Sequence, residues 1–421
     1  MSDVHATLDH LFRRESGRIV AYLTRFLGAD QLDLAESVVQ EALLRAVKTW
    51  PIQGTPDNPG GWILKVAKNV AIDHVRRDNK QSCDGDDSLA ELQTEDAPHS
   101  FEQEISDDQL KLMFICCHPQ LNRESRLALT LKTLCGFSVK EIAKAFLAKE
   151  ETIAQRIVRA KQKISAEKMK YEMPSPNELD LRLDSVLEVL YLLFNEGYSA
   201  TEGDSLIRKD LCDEAIYRTT ILANHPVCGH PKVTALLSLM HLQASRFNAR
   251  VDAHGELLLL EEQDRTLWDQ AHIQAGLKYL DKSAEGDEIS EFHLQAGIAS
   301  CHATAKSFSE TNWEQILAFY DLLMMKNHSP IIALNRAVAF SFLHSPAAGL
   351  EELSRIKDMP PINSYYLLYA TMAELNRRMG NRSEAKKLYQ RALELVGTEP
   401  ERQLIHKRIK TCDQDMLRVI N

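Results

Sequence analysis

No stretch of this chain approaches the roughly 20 consecutive apolar residues that a bilayer-spanning helix requires, which excludes a helical membrane protein. The opening segment, MSDVHATLDHLFRRES, has charge but no apolar core behind it, so no secretory leader is expected. Paired-cysteine spacing is missing too. The eight cysteines are scattered without secretory context, which predicts reduced thiols and a cytoplasmic location. Cys116, Cys117 and His118 stand side by side, but adjacent ligands lack zinc-finger spacing and no second CxxC completes them. Buried helix packing is the expected role of that trio, and no metal or cofactor is expected. The sequence also has no phosphate-binding glycine loop and no nucleophile motif. Glu261, Glu262, Asp264, Arg265 and Asp269 cluster, but they read as ion pairs and helix caps. No catalytic residue is assigned.

What is present is length, helical periodicity and a divided charge. A chain of 421 residues exceeds what one core usually spans, so two or more domains are expected. The formal net charge of −10 argues against a nucleic-acid partner until it is resolved along the chain. Residues 62–80 carry Lys65, Lys68, Arg76, Arg77 and Lys80 against Asp73 and Asp78. Residues 138–170 carry nine Lys or Arg against four acids. Between them, 81–108 holds ten acids and no Lys or Arg. Local potential governs binding, so two basic modules joined by an acidic tether is the informative description.

The pattern is all-α. Helices are expected near 4–27, 30–50 and 62–79, with a Pro- and Gly-rich loop at 53–61. The acidic stretch 81–108 is poor in apolar residues and reads as a flexible linker. Helices resume from about 107 to 164. Within SVKEIAKAFLAKEETIAQRIVRAKQKI (138–164), Ile142, Ala143 and Phe146 make one apolar face. A second helix from Thr152 turns Ile153, Ile157 and Ala160 inward and Gln155, Arg156, Arg159, Lys161 and Lys163 outward. A helix that packs by one face and offers Gln and Arg on the other suits the major groove. MPSPN (173–177) marks a further boundary. Beyond it, Leu183, Val186, Leu187, Leu190 and Phe194 share one stripe in a segment without a basic face. Segment 313–343 has helix, Pro turn, helix logic. The spacing Ala385, Tyr389, Ala392, with Tyr369 and Ala373 before it, fits tetratricopeptide-like stacking.

DLAESVVQEALLRAVKTW (33–50) followed by NPGGWILKVAKNVAIDHVRRDNK (58–80) resembles region 2 of the extracytoplasmic-function (ECF) sigma factors. The acidic gap and the helix-turn-helix fall where that family has its linker and region 4. Phrases such as LLFNEGYSA, EEQDRTLWDQ and ALNRAVAF resemble the long C-terminal extension of one sigma subgroup. The resemblance implies region 2 at 1–80, a linker at 81–108, region 4 at 109–172 and a helical, tetratricopeptide-like regulatory extension at 178–421. It implies that the stripe Asp33, Glu36, Gln40, Glu41 and Leu44 docks on the clamp coiled coil of the largest subunit of core RNA polymerase. It also implies that Lys65, Lys68, Asn69, Asp73, Arg76 and Arg77 serve the −10 element, with Asn69 beside the pocket for a flipped base. Cations there set affinity through phosphates. Trp62 shares its helix with Ile63, Val66 and Val70 and is expected in the core.

In region 4, Lys149, Glu151, Thr152, Gln155, Arg156 and Arg159 are the −35 candidates, because the N-terminal residues of such a helix reach base edges. Arg156 suits guanine and Gln155 adenine. One position departs from the family, Leu147, where many sigma factors have Gly at the turn. The linker carboxylates are expected to mimic RNA in the exit path of the polymerase. The extension is expected to contact the sigma regions in cis. A DNA-binding regulator with a solenoid sensor that never joins polymerase is the competing reading. The sequence identifies neither the promoter, nor the signal, nor a ligand of the extension.

Overall fold

The computed structural model describes residues 2–79, 101–146, 148–198, 208–252 and 256–420, with side chains for 15–77 and, within those spans, 107–413. Among the described residues there is no strand, only an isolated bridge between Val251 and Leu257. The fold is all-α and forms two compact units, Met1–Leu193 and Phe194–Asn421.

The first unit opens with α1 (Ser2–Leu27), α2 (Leu32–Gln53) and α3 (Pro59–Asn79). Ile19, Val20, Leu23, Ala35, Val38, Val39, Ile63 and Ala67 form their shared core. Helix α2 runs through Pro51 to Gly54, whose φ of 86° ends it where a side chain would be strained. Asn58 caps α3 by accepting from Gly61 N at 2.9 Å, and Pro59 occupies the first helical position, where no amide is missed. Helix α3 therefore starts earlier than periodicity alone suggested. Trp62 is half-buried, edge-to-face with Trp50 at 5.6 Å.

Helix α4 spans Phe101–Cys116, so the last eight residues of the expected linker are helical. The acids there lie in its first two turns, where the positive end of the helix dipole favours them. The linker residues before it, 81–100, lie outside the described residues, as does Leu147. Region 4 follows as α5 (Arg123–Leu129), a π-helical turn at Thr130–Leu134, α6 (Val139–Ala145) and α7 (Glu150–Ala166). Ser138 and Glu141 form a reciprocal capping box at the start of α6, at 3.1 and 2.8 Å. Ile142, Ala143, Ile153, Ile157, Ala160 and Ile164 are buried. Cys116 and Cys117 are buried in helix packing, and burial pushes the Cys117 thiol up to about 11. Helix α8 (Pro176–Tyr198) carries the stripe Leu183, Val186, Leu187 and Leu190, fully buried as its spacing predicts.

The second unit is a run of helices each packed on its neighbours in sequence. They are α9 (Lys209–Asn224), α10 (Pro231–Ala244), α11 (Gln270–Ser283), α12 (Glu291–Thr304) and α13 (Trp313–Lys326). Then come α14 (Pro330–Leu343), α15 (Pro346–Ile356), α16 (Tyr366–Arg378), α17 (Arg382–Leu395) and α18 (Glu399–Ile420). Close approach needs Gly276, where a Cβ would lie 2.6 Å from Leu242 Cγ. Ser238 Oγ seals that crossing by donating to Gly276 O at 2.7 Å. Ala373, Ala385, Tyr389 and Ala392 meet in one cluster with Ile405 and Cys412, the small-into-large stacking that their spacing predicts.

Candidate nucleic-acid interface

Helix α3 presents Lys65, Asn69, Asp73 and Arg76 on one exposed stripe, at i, i+4, i+8 and i+11, with Arg77 beside it. Ile63, Leu64, Ala67, Val70 and Ala71 hold the opposite face in the core, which fixes the stripe outward. Lys68 departs from the group. It is half-buried, with its ammonium 5.7 Å from the Tyr22 ring centroid. The stripe thus alternates phosphate-type donors with an amide and a carboxylate able to read base edges.

The amino-terminal end of α7 is similarly open. Lys149, Glu151, Thr152, Gln155 and Arg159 are exposed and Arg156 is half-buried. The buried Ile153, Ile157 and Ala160 anchor that helix on α5 and α6, so its outer tip is presented rigidly. Lys163 is engaged with the main chain, donating to Gln120 O at 2.6 Å.

Lys161 is where periodicity misleads. Expected to point outward, it is only 9% exposed and reaches across to α2. Its Nζ lies 2.6 Å from Asp33 Oδ1 and 2.9 Å from Glu36 Oε2, and Thr133 Oγ1 donates to Glu36 Oε1 at 2.5 Å. Burial works against the ammonium charge, but Glu36 and Asp33 outweigh it and hold the Lys161 pKa above its usual value. The clasp takes two members of the acidic stripe on α2. Gln40 and Leu44 stay exposed, and Glu41 is paired with Arg45 at 2.5 Å on the surface. One signal for the clasp was available in the sequence. Lys161 follows Ala160 and lies four residues after Ile157, a cation inside an inner stripe that has to find an anion.

A second tie joins α1 and α4 to the segment that follows α7. The Tyr171 hydroxyl lies 2.7 Å from both Ala21 O on α1 and Asp108 O on α4, which share its one proton. The first half of α8 grips region 4 as well. Arg182 donates to Phe114 O at 2.8 Å, and Glu188 pairs with Arg123 at 3.0 Å and Arg126 at 2.9 Å. None of these long-range partners is visible in local periodicity.

The acid-rich cluster of the second unit has structural work. Asp264 accepts from Thr266 N and Asp269 from His272 N, both as helix caps, and Glu262 pairs with Arg408 at 2.7 Å. Arg265 donates to the carbonyls of His302 and Ala305.

Comparison with known families matches these parts in order. The family described as Sigma-70 region 2 matches residues 11–81, and Sigma-70, region 4 matches 111–164. A family of unknown function (DUF6596) matches 182–284. Over 387 residues the chain is 36% identical to an uncharacterized protein of Rhizobium meliloti (strain 1021), covering 90% of each. It is 25% identical over 259 residues to a protein of Mycobacterium tuberculosis described as a probable ECF RNA polymerase sigma factor, SigI, covering 56% of this chain and 86% of that one.

Proposed function

The chain belongs to the extracytoplasmic-function sigma factors, in a branch with a helical C-terminal extension, and from that premise we propose how its surfaces serve promoter recognition. The family's role is to join core RNA polymerase and direct it to promoter DNA. Our reading assigns the exposed remainder of the α2 stripe, Gln40, Glu41 and Leu44, to first contact with the polymerase clamp coiled coil. Asp33 and Glu36 complete that contact once Lys161 has left. The α3 stripe holds the −10 element, with Asn69 offered to an extruded base. The tip of α7 reads the −35 element, with Arg156 and Gln155 on base edges and Arg159 on phosphate.

The observation that carries this reading is the clasp. Carboxylates that would meet a basic polymerase surface are satisfied internally by a cation from the promoter-reading helix. Such a protein is closed until region 4 swings away, which is also the movement needed to span two separated promoter elements. Helix α8, leading into the extension, holds region 4 through Glu188 and Arg182, so the extension is in a position to set how readily the clasp opens. Control in cis of this kind extends our proposal to residues 178–421. The setting that it implies is the cytoplasm, where polymerase and promoter are found.

Run-off transcription with core polymerase on the DNA upstream of the protein's own gene tests the assignment. Replacing the exposed Glu41 by Lys together with Leu44 by Asp should abolish co-purification with core enzyme and leave helix content intact. Normal polymerase binding by that double variant would overturn the assignment of this α2 surface, and failure of the wild-type chain to bind core enzyme would favour a DNA-binding regulator that acts without polymerase.

A further inference from the structure

The second unit contains a half-open cavity of about 360 Å³. Its walls come from α13, α14, α16, α17 and α18, with Trp313, Phe342, Val338, Thr371 and Tyr366 prominent among them. A stack of helix pairs normally leaves a concave groove open to solvent. Here the segment from Leu257 to Glu261 lies along one side. Ion pairs just outside that segment strap it to α18, Glu256 to Lys407 at 2.8 Å and Glu262 to Arg408 at 2.7 Å. The groove becomes a half-open pocket of the size that takes a small molecule, about 300–1,000 Å³.

The pocket is apolar, but its polar atoms are not all satisfied. His302 lines it, edge-on to Trp313 at 5.5 Å, and its buried Nδ1 has no hydrogen-bond partner among the described residues. Burial, with Arg246 and Arg265 close by, lowers the His302 pKa to about 3, so the ring is neutral and its surroundings are electropositive. Arg265, which donates to His302 O and is not part of the wall, keeps a buried Nη2 without a hydrogen-bond partner among the described residues. Arg378 stands in the wall with its guanidinium 4.4 Å from the Phe342 ring centroid and no carboxylate partner among the described residues. Of the other charges of the wall, Glu374 is paired with Arg377 at 2.7 Å and Arg408 with Glu262 at 2.7 Å, and Glu261 is exposed. Buried polar atoms left open are costly unless a ligand or water completes them. Trp313 and Phe342 are stacked on each other with ring centroids 4.3 Å apart.

We propose that the pocket is a ligand site for a small aliphatic carboxylate, its chain among Trp313, Val338 and Thr371 and its anionic head on Arg378. The site would give the extension a chemical input of its own, and it stands independently of the sigma assignment.

Dodecanoate, dodecan-1-ol and dodecylammonium, each below its micellar concentration, are titrated into the full-length chain by calorimetry. Dodecanoate should bind one to one, at least tenfold tighter than the alcohol, with the ammonium weakest. Thr371→Trp fills the pocket and should abolish binding with an unchanged helical melting curve. The exposed Arg378→Gln, which cannot disturb the core, should bring carboxylate and alcohol within about threefold of each other. Equal affinity for all three probes would overturn the carboxylate assignment. Unaltered dodecanoate binding by Thr371→Trp, or no binding of any probe to the folded chain, would overturn the site.

Discussion

Removing the charge of Lys161 should make this protein a better ligand of core polymerase, although it deletes a cation from a DNA-reading helix. The magnitude follows from the clasp. Lys161 and Glu36 are 9% and 12% exposed and 2.9 Å apart, so their charged hydrogen bond counts in full, at about 1.5–3 kcal/mol. Asp33 is 83% exposed, and solvent screening limits its contact to about 0.5 kcal/mol. Lys161→Met keeps the aliphatic stem in place and leaves Glu36 part-buried with only the Thr133 hydroxyl. That carboxylate is solvated when region 4 moves off, so the substitution disfavours the closed form by about 2 kcal/mol, a shift of about 30-fold in the closed–open equilibrium.

Where the open form is the minority, the apparent Kd for core polymerase falls by up to the same factor. Fluorescence anisotropy of the labelled chain titrated with core enzyme measures it directly. A wild-type or weaker Kd would refute the masking argument. If promoter affinity also fell and its salt slope dropped by about one, Lys161 would be a phosphate contact instead.

Three further outcomes follow from other sites. Asn69→Ala should reduce open-complex formation on duplex promoter while sparing transcription from a pre-melted bubble, as read by permanganate footprinting; equal defects on both templates would make Asn69 a folding residue. Asp108 is buried between Arg25 at 3.6 Å and Lys111 at 3.3 Å, and burial raises its carboxyl to about 6 in spite of both cations. The folded state therefore holds a proton that the unfolded chain has lost between its ordinary pKa near 4 and about 6, so stability gained from this group grows as pH falls through that window. Above it the cost is up to about 3 kcal/mol, and Asp108→Asn should raise Tm at pH 7.5 but not at pH 4; a lower Tm at pH 7.5 would show that the ion pairs dominate. Glu188→Ala frees Arg123 and Arg126 at a cost of up to about 1 kcal/mol for a partly exposed network, and amide exchange in α5 should speed up accordingly. Unchanged exchange would separate α8 from the control of region 4.

Much of this molecule was legible in its sequence because helix faces are local. Ile153, Ile157 and Ala160 on one side of α7, or Leu183, Val186 and Leu187 on α8, repeat within a turn or two, and their burial follows from the 3.6-residue period. The exposed stripe of α3 was readable for the same reason. Helix ends were less so: α4 begins at Phe101 inside a stretch whose charge suggested a tether, since acids at the start of a helix look the same in composition as acids in a linker. The long-range contacts were hidden, because each joins residues far apart in sequence. Lys161 meets Asp33 and Glu36 across more than 120 positions, and Tyr171 meets Ala21 across 150. The same separation gives these contacts their functional weight. A cation within the inner stripe of a recognition helix is costly by itself and becomes stable only when another segment supplies the anion. In our proposal, the helix assigned to the −35 element is thereby parked on the surface assigned to polymerase, and one side chain couples the two.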